Sequence, residues 1–403
     1  MPSTRFYSLL ASVALAVSVR AGLPDKIYGT NIGSWLVLEP WMLPQEWVDM
    51  GGQQCSDCST CIASEFAFAQ AYPDTVDAKF KTHWTTWFTQ SDVDNLVGAG
   101  INTVRIPLGY WIVEPLVDRA TEFYPKGGMV ELQRGLQQLT NAGISVILDH
   151  HALPGVASPG QMFAGRCTND VQFYTSANYH RALVWTAVIT ALSHVDPNFA
   201  AVAALEAINE PIMDANQTPG MGDFQKHFVQ TVRAVELSLG VPVPGTTPAG
   251  IITSATNVSE ALTTASTKTS LFNADVLAAL VDAVPMFTYV VEQLGLNIVL
   301  ETNGLRDAMA ARSPLVTTFM DINWQQNSPA NPADAAIGPQ GYDNHLYYSF
   351  GGVADATEDA YLTSVCNLDR IEKDAALNNS PLWFGEWGLS TQFDATDDFL
   401  KKW

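Results

Sequence analysis

The chain of 403 residues carries 20 Lys and Arg against 41 Asp and Glu, which gives a formal net charge of −21. So acidic a surface repels phosphate backbones and anionic lipid headgroups, which argues against nucleic-acid binding and against electrostatic binding to a membrane. Hydrophobic residues make up 47% of the chain and charged residues 15%, so the sequence predicts a large core rather than disorder. We therefore expect a neutral partner.

The N-terminus predicts a secretory signal peptide over residues 1–21. A basic start precedes an apolar run over residues 6–19, and Ala21 is small, as signal peptidase requires. This run is shorter than the roughly 20 residues that span a bilayer, so a signal peptide is favoured over a membrane anchor. Three N-glycosylation sequons agree with export, at Asn216, Asn257 and Asn378. We expect a secreted protein, extracellular or in the cell wall.

Five cysteines are spaced in a way that invites two interpretations. Cys55, Cys58 and Cys61 form a CxxCxxC run that resembles a metal or cluster site. A zinc site uses four ligands, however, and exported proteins form disulfides in their oxidising surroundings. We therefore predict no metal, and disulfides among these three cysteines, Cys167 and Cys366. The odd number leaves one thiol unpaired or its partner missing.

Short β-rich runs alternate with amphipathic stretches, which predicts a parallel sheet covered by helices. The predicted strands are 27–33, 102–108, 145–151, 202–210, 297–301, 342–347 and 382–387, and the main predicted helices are 127–142, 176–195, 222–240, 274–294 and 357–377. Most of these strands end in polar groups that a (β/α)8 barrel gathers at one mouth. A doubly wound sheet would spread them along a crevice, and no Gly-rich phosphate loop follows the first strand. The segment 241–272 is predicted to be an insertion loop.

Two glutamates carry the predicted chemistry. Glu210 follows Asn209 and precedes a proline, and Glu386 lies between a glycine and Trp387, each at the end of an apolar strand. Cleavage of a sugar acetal needs a protonated carboxyl group at the leaving oxygen and an ionised carboxylate at the developing oxocarbenium carbon. Asn209 can bind the 2-hydroxyl of the sugar. A single strand-end glutamate is most often structural, whereas the pair predicts a glycosidase site.

Six motifs follow one another between about residues 27 and 390. They are Gly29-Thr30-Asn31-Ile32-Gly33-Ser34-Trp35 with Leu38-Glu39-Pro40, Val104-Arg105-Ile106-Pro107-Leu108-Gly109-Tyr110-Trp111, Asp149-His150-His151-Ala152-Leu153-Pro154-Gly155, Asn209-Glu210-Pro211, His345-Leu346-Tyr347 and Gly385-Glu386-Trp387. Their order resembles glycoside hydrolase family 5, in the branch of fungal exo-β-1,3-glucanases and β-1,6-glucanases. The resemblance implies a TIM barrel, a single catalytic domain over residues 22–403, and a retaining double displacement without metal or cofactor.

The same resemblance implies a role for each matched residue. Glu210 is expected to be the acid/base and Glu386 the nucleophile, with carboxyl groups about 5 Å apart. Arg105 is expected to hydrogen-bond Glu386 and keep it ionised, because a nearby cation lowers the pKa of a carboxyl group. Tyr347 is expected to donate to Glu386, and His345 to contact the sugar or the acid/base.

The remaining expected contacts are with the sugar itself. Glu39 matches a residue that binds hydroxyls of the terminal glucose in exo-acting relatives. His151 is expected in the pocket, because strand alternation turns His150 away from it. His150 stands where leucine is usual in the family. Trp387 is the preferred stacking residue for a sugar face, and the other aromatic candidates are Trp35, Trp41, Tyr110, Trp111 and Trp324.

The expected function is an O-glycosyl hydrolase that acts on neutral β-glucan as a monomer, without nucleic acid or membrane. Exo-β-1,3 action is preferred because Glu39 and its Leu-Glu-Pro context fit a blocked terminal subsite. Endo-β-1,6 action is the second possibility. Insertions at 51–75, 156–170 and 241–272 are expected to shape the distant subsites.

The C-terminal end of the chain raises a further alternative. Seventeen residues follow Glu386, whereas a TIM barrel still requires a helix, an eighth strand and a closing helix. We expect a barrel truncated before strand 8, as a fragment or as an open barrel, with a seam between the first and seventh strands. Both glutamates should still face one pocket. A non-catalytic glucan-binding pseudo-enzyme is the alternative of another class.

Overall fold

The computed structural model describes residues 22–246, 255, 257–296, 309–327 and 337–402. One parallel sheet of seven strands runs in chain order. The strands are β1 (Gly29–Asn31), β2 (Thr103–Gly109), β3 (Ser145–Ala152), β4 (Val202–Glu206), β5 (Val316–Met320), β6 (Gln340–Leu346) and β7 (Leu382–Trp387). The sheet curls into a nearly closed barrel, a (β/α)8 TIM barrel that lacks a closing strand in the described part of the chain.

Helices surround the sheet on its outer face. They are α1 (Pro44–Met50), α2 (Glu65–Ala71), α3 (Val76–Trp87), α4 (Gln90–Gly98), α5 (Gly128–Ala142), α6 (Ser176–Val195), α7 (Met221–Leu239), α8 (Val258–Ala265), α9 (Ala274–Gln293), α10 (Glu358–Val365), α11 (Asp369–Ala376) and α12 (Asp397–Lys402). The side chain of Thr175 accepts the N–H of Asn178 and so caps α6. Helices α5 and α7 end at Gly143 and Gly240, both in the left-handed conformation that favours glycine.

The predicted seam is present between β1 and β7, the two edges of the described sheet. The edges approach each other without pairing as strands, and Asn31 Nδ2 donates to the carbonyl oxygen of Gly385 across them at 2.6 Å. A groove of about 580 Å³ runs along the seam beside Leu23 and Trp383. Strands β2 and β3 are buried along their whole length, because helices cover one face and the barrel interior lies on the other.

Three predicted elements differ from the observed ones, and a fourth lies outside the described residues. The predicted strand 297–301 lies outside the described residues, and the strand between β4 and β6 is β5, which the sequence analysis did not predict. Strand 202–210 ends at Glu206, so Glu210 lies in a loop. The stretch 357–377 forms two helices, because Leu368 adopts an extended backbone between α10 and α11. The insertion 241–272 contains α8, which Asn257 caps.

Helix α9 is long and strongly apolar. Its length and mean hydropathy of 1.7 would allow it to cross a membrane, a property that the core helices of folded domains share. In this fold Val276, Leu280 and Phe287 of α9 are buried in the main core. Polar contacts also tie α9 to the connection after β2, where the Glu114 carboxylate accepts from Tyr289 and Gln293.

The cysteines form two disulfides, Cys55–Cys61 and Cys58–Cys167, and leave Cys366 unpaired and exposed. This confirms the prediction of disulfides within the CxxCxxC run. The second bond joins the insertion at 51–75 to the insertion at 156–170. The two insertions therefore form one cross-linked rim on the barrel.

The two disulfides are expected to differ in their effect on stability. Cys58–Cys167 closes a loop with a sequence separation of 109, against 6 for Cys55–Cys61. Loop-closure entropy in the unfolded chain predicts that Cys58→Ser with Cys167→Ser lowers the free energy of unfolding by about 2.5 kcal/mol more than Cys55→Ser with Cys61→Ser. Urea unfolding of both double variants measures the difference. Equal unfolding free energies would contradict this account.

Candidate active site

A cavity of about 580 Å³ opens at the C-terminal ends of the strands and extends into the barrel beside the seam. It is lined by six of the residues that the sequence predicted for the site, namely Glu39, Arg105, His151, Tyr347, Glu386 and Trp387. Of the other three, Asn209 contacts Arg105, His345 contacts Glu386, and Glu210 contacts His345. The fold thus brings all nine predicted residues to one place.

Arg105 on β2 is the centre of the site and is 3% exposed. Its Nε lies 2.9 Å from Glu206 Oε2 and 3.1 Å from Asp343 Oδ2. One terminal nitrogen lies 2.9 Å from Glu386 Oε1 and the other 3.1 Å from Asp149 Oδ2. Burial would lower the pKa of Arg105, but these four carboxyl groups raise it well above its usual value. The guanidinium therefore stays charged and holds one carboxyl group from each of four strand ends.

Glu386 on β7 is held as a carboxylate. Burial alone would raise its pKa, but the nearby His345, Arg105 and His151 outweigh burial and lower the pKa to about 2. The Tyr347 hydroxyl donates to Glu386 Oε2 at 2.9 Å and contributes to this low pKa. Both oxygens of Glu386 are thereby fixed, Oε1 by Arg105 and Oε2 by Tyr347.

Glu210 faces Glu386 from the loop after β4. His345 Nδ1 lies 2.7 Å from Glu210 Oε1 and 3.5 Å from Glu386 Oε2. A carboxylate oxygen from each glutamate and a nitrogen of His345 all lie within 4.8 Å of one another. Retaining glycosidases hold their two carboxyl groups about 5 Å apart, whereas inverting enzymes leave room for a water molecule at roughly 6.5–9.5 Å. The spacing therefore fits retention.

The backbone at Glu210 is strained. Its φ is +38°, in the left-handed region that a glutamate rarely adopts, and the following Pro211 restricts it further. The hydroxyl of Ser158 donates to the Glu210 carbonyl oxygen at 2.5 Å and supports this conformation. Such strain persists only where the surrounding structure imposes it, and it is common at functional sites.

Histidine orientations follow the expected strand alternation. His150 points away from the cavity and stacks on Trp185 with ring centroids 3.9 Å apart. His151 lines the cavity, and its Nδ1 lies 2.5 Å from Asp149 Oδ2. Within the described residues His151 Nε2 has no partner, so it remains available to a ligand. Burial lowers the pKa of His151, but Asp149 outweighs it and raises the pKa above its usual value.

Asn209 and Glu39 approach the glutamates from two sides. Asn209 Oδ1 accepts from Arg105 at 2.9 Å, and Asn209 Nδ2 is buried without a partner among the described residues. Glu39 Oε2 accepts from Trp41 Nε1 at 2.9 Å. Burial raises the pKa of Glu39, and the charges of Glu386 and Glu210 raise it further. The cavity is therefore rich in groups that bind hydroxyls.

The aromatic candidates divide into two sets. Trp387 and Trp41 are 57% and 65% exposed and line the cavity, so both can stack on a sugar ring. Trp324 is half-buried, with its ring centroid 6.2 Å from that of His345. The expectation was wrong for the three candidates that are core residues, which are Trp35, Tyr110 and Trp111. Trp111, for example, stacks on Tyr124 at 4.1 Å.

An acidic layer beneath the cavity, formed by Asp149, Glu206 and Asp343, was not predicted from the sequence. All three are fully buried. Burial raises the pKa of Glu206 well above its usual value, although the nearby Arg105 charge opposes this shift. A sequence signal was available, because Asp149 and Asp343 each precede a site histidine by two residues and so share its face of the strand.

Among the described residues, two groups of side chains have the spacing of metal ligands: Glu206 with Asp343 and His345, and Glu210 with His345 and Glu386. Arg105 already binds three of these carboxyl groups. Burial lowers the pKa of His345, but Glu386 and Asp343 raise it well above its usual value, so His345 is a second cation here. The carboxyl groups that could bind a metal are thus already paired with Arg105 or His345. The absence of a resident metal stays a prediction.

Known proteins similar to this chain agree with this geometry. Residues 70–403 match the family described as cellulase (glycosyl hydrolase family 5). A glucan endo-1,6-beta-glucosidase B of Emericella nidulans is 37% identical over 220 residues, which are 54% of this chain and 52% of that protein. The chain thus spans about half the length of this relative.

Other matches cover more of the chain. A probable glucan endo-1,6-beta-glucosidase B of Neosartorya fischeri is 28% identical over 390 residues, 94% of this chain and 77% of that protein. A probable glucan 1,3-beta-glucosidase A of the same organism is 30% identical over 252 residues, 56% of this chain and 55% of that protein. A crystal structure of rutinosidase from Aspergillus niger has a TM-score of 0.52 at 17% identity and covers 93% of this chain and 83% of its own. That likeness concerns the fold alone.

The low pKa of Glu386 predicts how this group contributes to stability. Its pKa is about 2 in the folded protein against 4.5 for an ordinary glutamate. The folded state therefore gains stability from this ionisation above pH 4.5, and loses it as the pH falls from 4.5 through 2. A carboxyl ¹³C NMR titration of Glu386 measures the pKa directly. A value at or above 4.5 would contradict the role given to Arg105 and His345.

Replacing Arg105→Lys should raise the pKa of Glu386. Lysine keeps the positive charge, but its single nitrogen cannot replace the three guanidinium nitrogens that separately reach Glu386, Glu206 and Asn209. The same NMR titration, run on the variant, tests this. Arg181→Lys is the control, because Arg181 forms a two-bond pair with Glu122 away from the cavity. A pKa that stays near 2 in Arg105→Lys would show that the histidines alone hold Glu386 ionised.

Proposed function

The chain belongs to glycosyl hydrolase family 5, and we propose that it hydrolyses a neutral β-glucan with retention of anomeric configuration. The observation that carries the proposal is the facing pair of Glu210 and Glu386, with carboxylate oxygens within 4.8 Å. Arg105 and Tyr347 bind the Glu386 carboxylate, whereas Glu210 contacts His345, so the two groups can take the two roles that a double displacement requires.

In the proposed first step Glu386 attacks the anomeric carbon while protonated Glu210 gives its proton to the leaving oxygen. The low pKa of Glu386 keeps its carboxylate available as a nucleophile at any mildly acidic pH. A glycosyl ester forms on Glu386 and the C–O bond to the leaving sugar breaks. In the second step Glu210 takes a proton from water, the water oxygen attacks the anomeric carbon, and the ester bond breaks.

The surrounding residues have distinct parts in this proposal. Arg105 and Tyr347 hold the two oxygens of Glu386, so that the carboxylate meets the anomeric carbon in a fixed direction. His345 orients Glu210. Asn209, His151 and Glu39 bind sugar hydroxyls, and Trp387 stacks on a sugar face. Buried, preorganised donors of this kind lower the barrier more than solvated ones.

For the substrate we propose β-1,6-glucan cleaved internally. The relative that aligns with 94% of this chain is named a probable endo-1,6-beta-glucosidase. This match over most of the chain does not support the preference for exo-β-1,3 action that the sequence suggested. Two observations favour it: Glu39 lies in the cavity with His151, and a 1,3-beta-glucosidase relative is 30% identical over part of the chain. Exo-β-1,3 action is therefore the second candidate.

We further propose that the protein is secreted and acts as a monomer. The two disulfides require an oxidising compartment, and the relatives named above are glucan hydrolases of fungi. The net charge of −21 favours an uncharged polysaccharide over nucleic acid or an anionic membrane. A non-catalytic pseudo-enzyme is disfavoured, because both carboxyl groups and the residues that orient them are in place.

Product analysis tests the substrate. Purified protein is incubated with pustulan, a β-1,6-glucan, and with laminarin, a β-1,3-glucan, and early products are separated by chromatography. Endo-β-1,6 action predicts a ladder of oligosaccharides from pustulan and little release from laminarin. Glucose as the sole early product from laminarin would favour exo-β-1,3 action instead. No release from either glucan, at enzyme concentrations that saturate a binding assay, would support the pseudo-enzyme.

Azide rescue tests the two carboxylate roles. Glu386→Ala should abolish turnover of an aryl β-glucoside, and azide should restore it as a glycosyl azide of inverted configuration, because the anion occupies the place of the carboxylate. Glu210→Ala should retain the first step on substrates with good leaving groups, and azide should then give a product of retained configuration. NMR of the anomeric proton distinguishes the products. The opposite pattern would exchange the two roles.

A further inference from the structure

Strand β7 contains one extra residue just before Glu386. In the ladder between β6 and β7, Asn344 pairs with Phe384, but the next residue, His345, pairs with Glu386. Gly385 is therefore left without a partner in the ladder, as in a β-bulge. A bulge bends its strand and changes the direction of the side chain that follows.

Side chains on β6 and β1 form hydrogen bonds with the backbone N–H and the carbonyl oxygen of Gly385. Asp343 Oδ1, on β6, accepts the N–H of Gly385 at 2.6 Å. Asn31 Nδ2, on β1, donates to its carbonyl oxygen at 2.6 Å. A Cβ atom on residue 385 would overlap the Asp343 carboxylate, so the position requires glycine. Asn31, Asp343 and Gly385 together are called the bulge clamp below.

We propose that Asn31 and Asp343 are positioning residues that clamp the bulge at Gly385 and thereby fix the direction of the Glu386 carboxylate. This inference rests on the proposed role of Glu386 as the nucleophile. The clamp acts on Glu386 through the backbone, whereas Arg105 and Tyr347 act on its carboxylate oxygens directly.

The clamp is also joined to Arg105. Asp343 Oδ2 lies 3.1 Å from Arg105 Nε, and Asn31 Oδ1 accepts from the terminal nitrogen that binds Glu386, at 3.4 Å. Asn31 and Asp343 therefore each contact both Gly385 and the guanidinium. A shift of the bulge displaces the carboxylate and its cation together.

The bulge clamp lies on the seam, where it links β7 to β1. Within the described sheet β7 has a strand neighbour on one side alone, which is β6. On the other side the bond from Asn31 holds the strand where a ladder bond would otherwise do so. One side-chain amide thus crosses the seam at the residue next to Glu386.

Asn102 offers a matched control for Asn31. Its Oδ1 accepts the N–H of Tyr28 at 2.9 Å and its Nδ2 donates to the Lys26 carbonyl oxygen at 2.9 Å. The same amide chemistry therefore holds the segment before β1, at the N-terminal end of the strands and opposite to the end that carries Glu386. Asn31→Ala and Asn102→Ala each remove one amide that ties β1 or its approach to the sheet.

The test compares these two variants by hydrogen exchange and by kinetics. Asn31→Ala should raise the exchange rate of amides in a peptide that covers 382–387, and should lower kcat by about a hundredfold with a small change in KM, because a displacement near 1 Å costs that much in rate. Asn102→Ala should lower the melting temperature without changing kcat or exchange in that peptide. Equal effects of both variants on kcat and exchange would overturn the proposal.

Two substitutions of Asp343 separate the effect of its hydrogen bond to the Gly385 N–H from the effect of its charge. Asp343→Asn keeps an oxygen that accepts the Gly385 N–H, so exchange in the 382–387 peptide should stay near that of the native protein, whereas Asp343→Ala should raise it. If both variants left exchange unchanged, the clamp would be overturned. The exchange measurement does not depend on turnover. A native protein inactive on every glucan would therefore refute the proposed function, while the exchange comparison would still decide the clamp.

Discussion

A single buried guanidinium organises this site. Arg105 lies among the carboxyl groups of Asp149, Glu206, Asp343 and Glu386, each from a different strand end, and its burial is possible because these groups surround it. Removing a charge from water costs several kcal/mol unless partners satisfy it. The barrel meets this condition by placing all four carboxyl groups within 3.1 Å of guanidinium nitrogens, and His345 and His151 add positive charge beside Glu386. The remaining carboxyl group at the cavity surface, Glu386, is thereby held ionised.

Departures from regular backbone place the two glutamates. Glu210 lies beyond the end of β4 with a positive φ, and Glu386 follows a bulge. Each departure is supported by side chains from other elements, Ser158 at Glu210 and the bulge clamp at Gly385. Both conformations oppose local preference, and proteins tolerate such conflicts mainly at functional sites.

Much of the site could be predicted from the sequence, because strand ends in a barrel meet at one mouth. The motifs around Arg105, Glu210 and Glu386 sufficed for that. Strand β5 was missed because its threonines look like loop residues, although Thr318 is buried and its hydroxyl donates to the Leu205 carbonyl oxygen. Trp35 was misassigned because exposure depends on packing, here against α5, where a Cβ on Gly135 would overlap the indole. The bulge at Gly385 and the φ of Glu210 arise from tertiary contacts, which no local pattern encodes.

Covalent trapping tests the central claim most directly. A 2-deoxy-2-fluoro-β-glucoside with a good leaving group slows both displacement steps, so that the glycosyl ester on the nucleophile accumulates. After digestion, peptide mass spectrometry should find one fluorosugar on the peptide that contains Glu386 and none on the peptide that contains Glu210. A fluorosugar on Glu210 or on any other residue would contradict the assignment of Glu386, held ionised by Arg105, as the nucleophile.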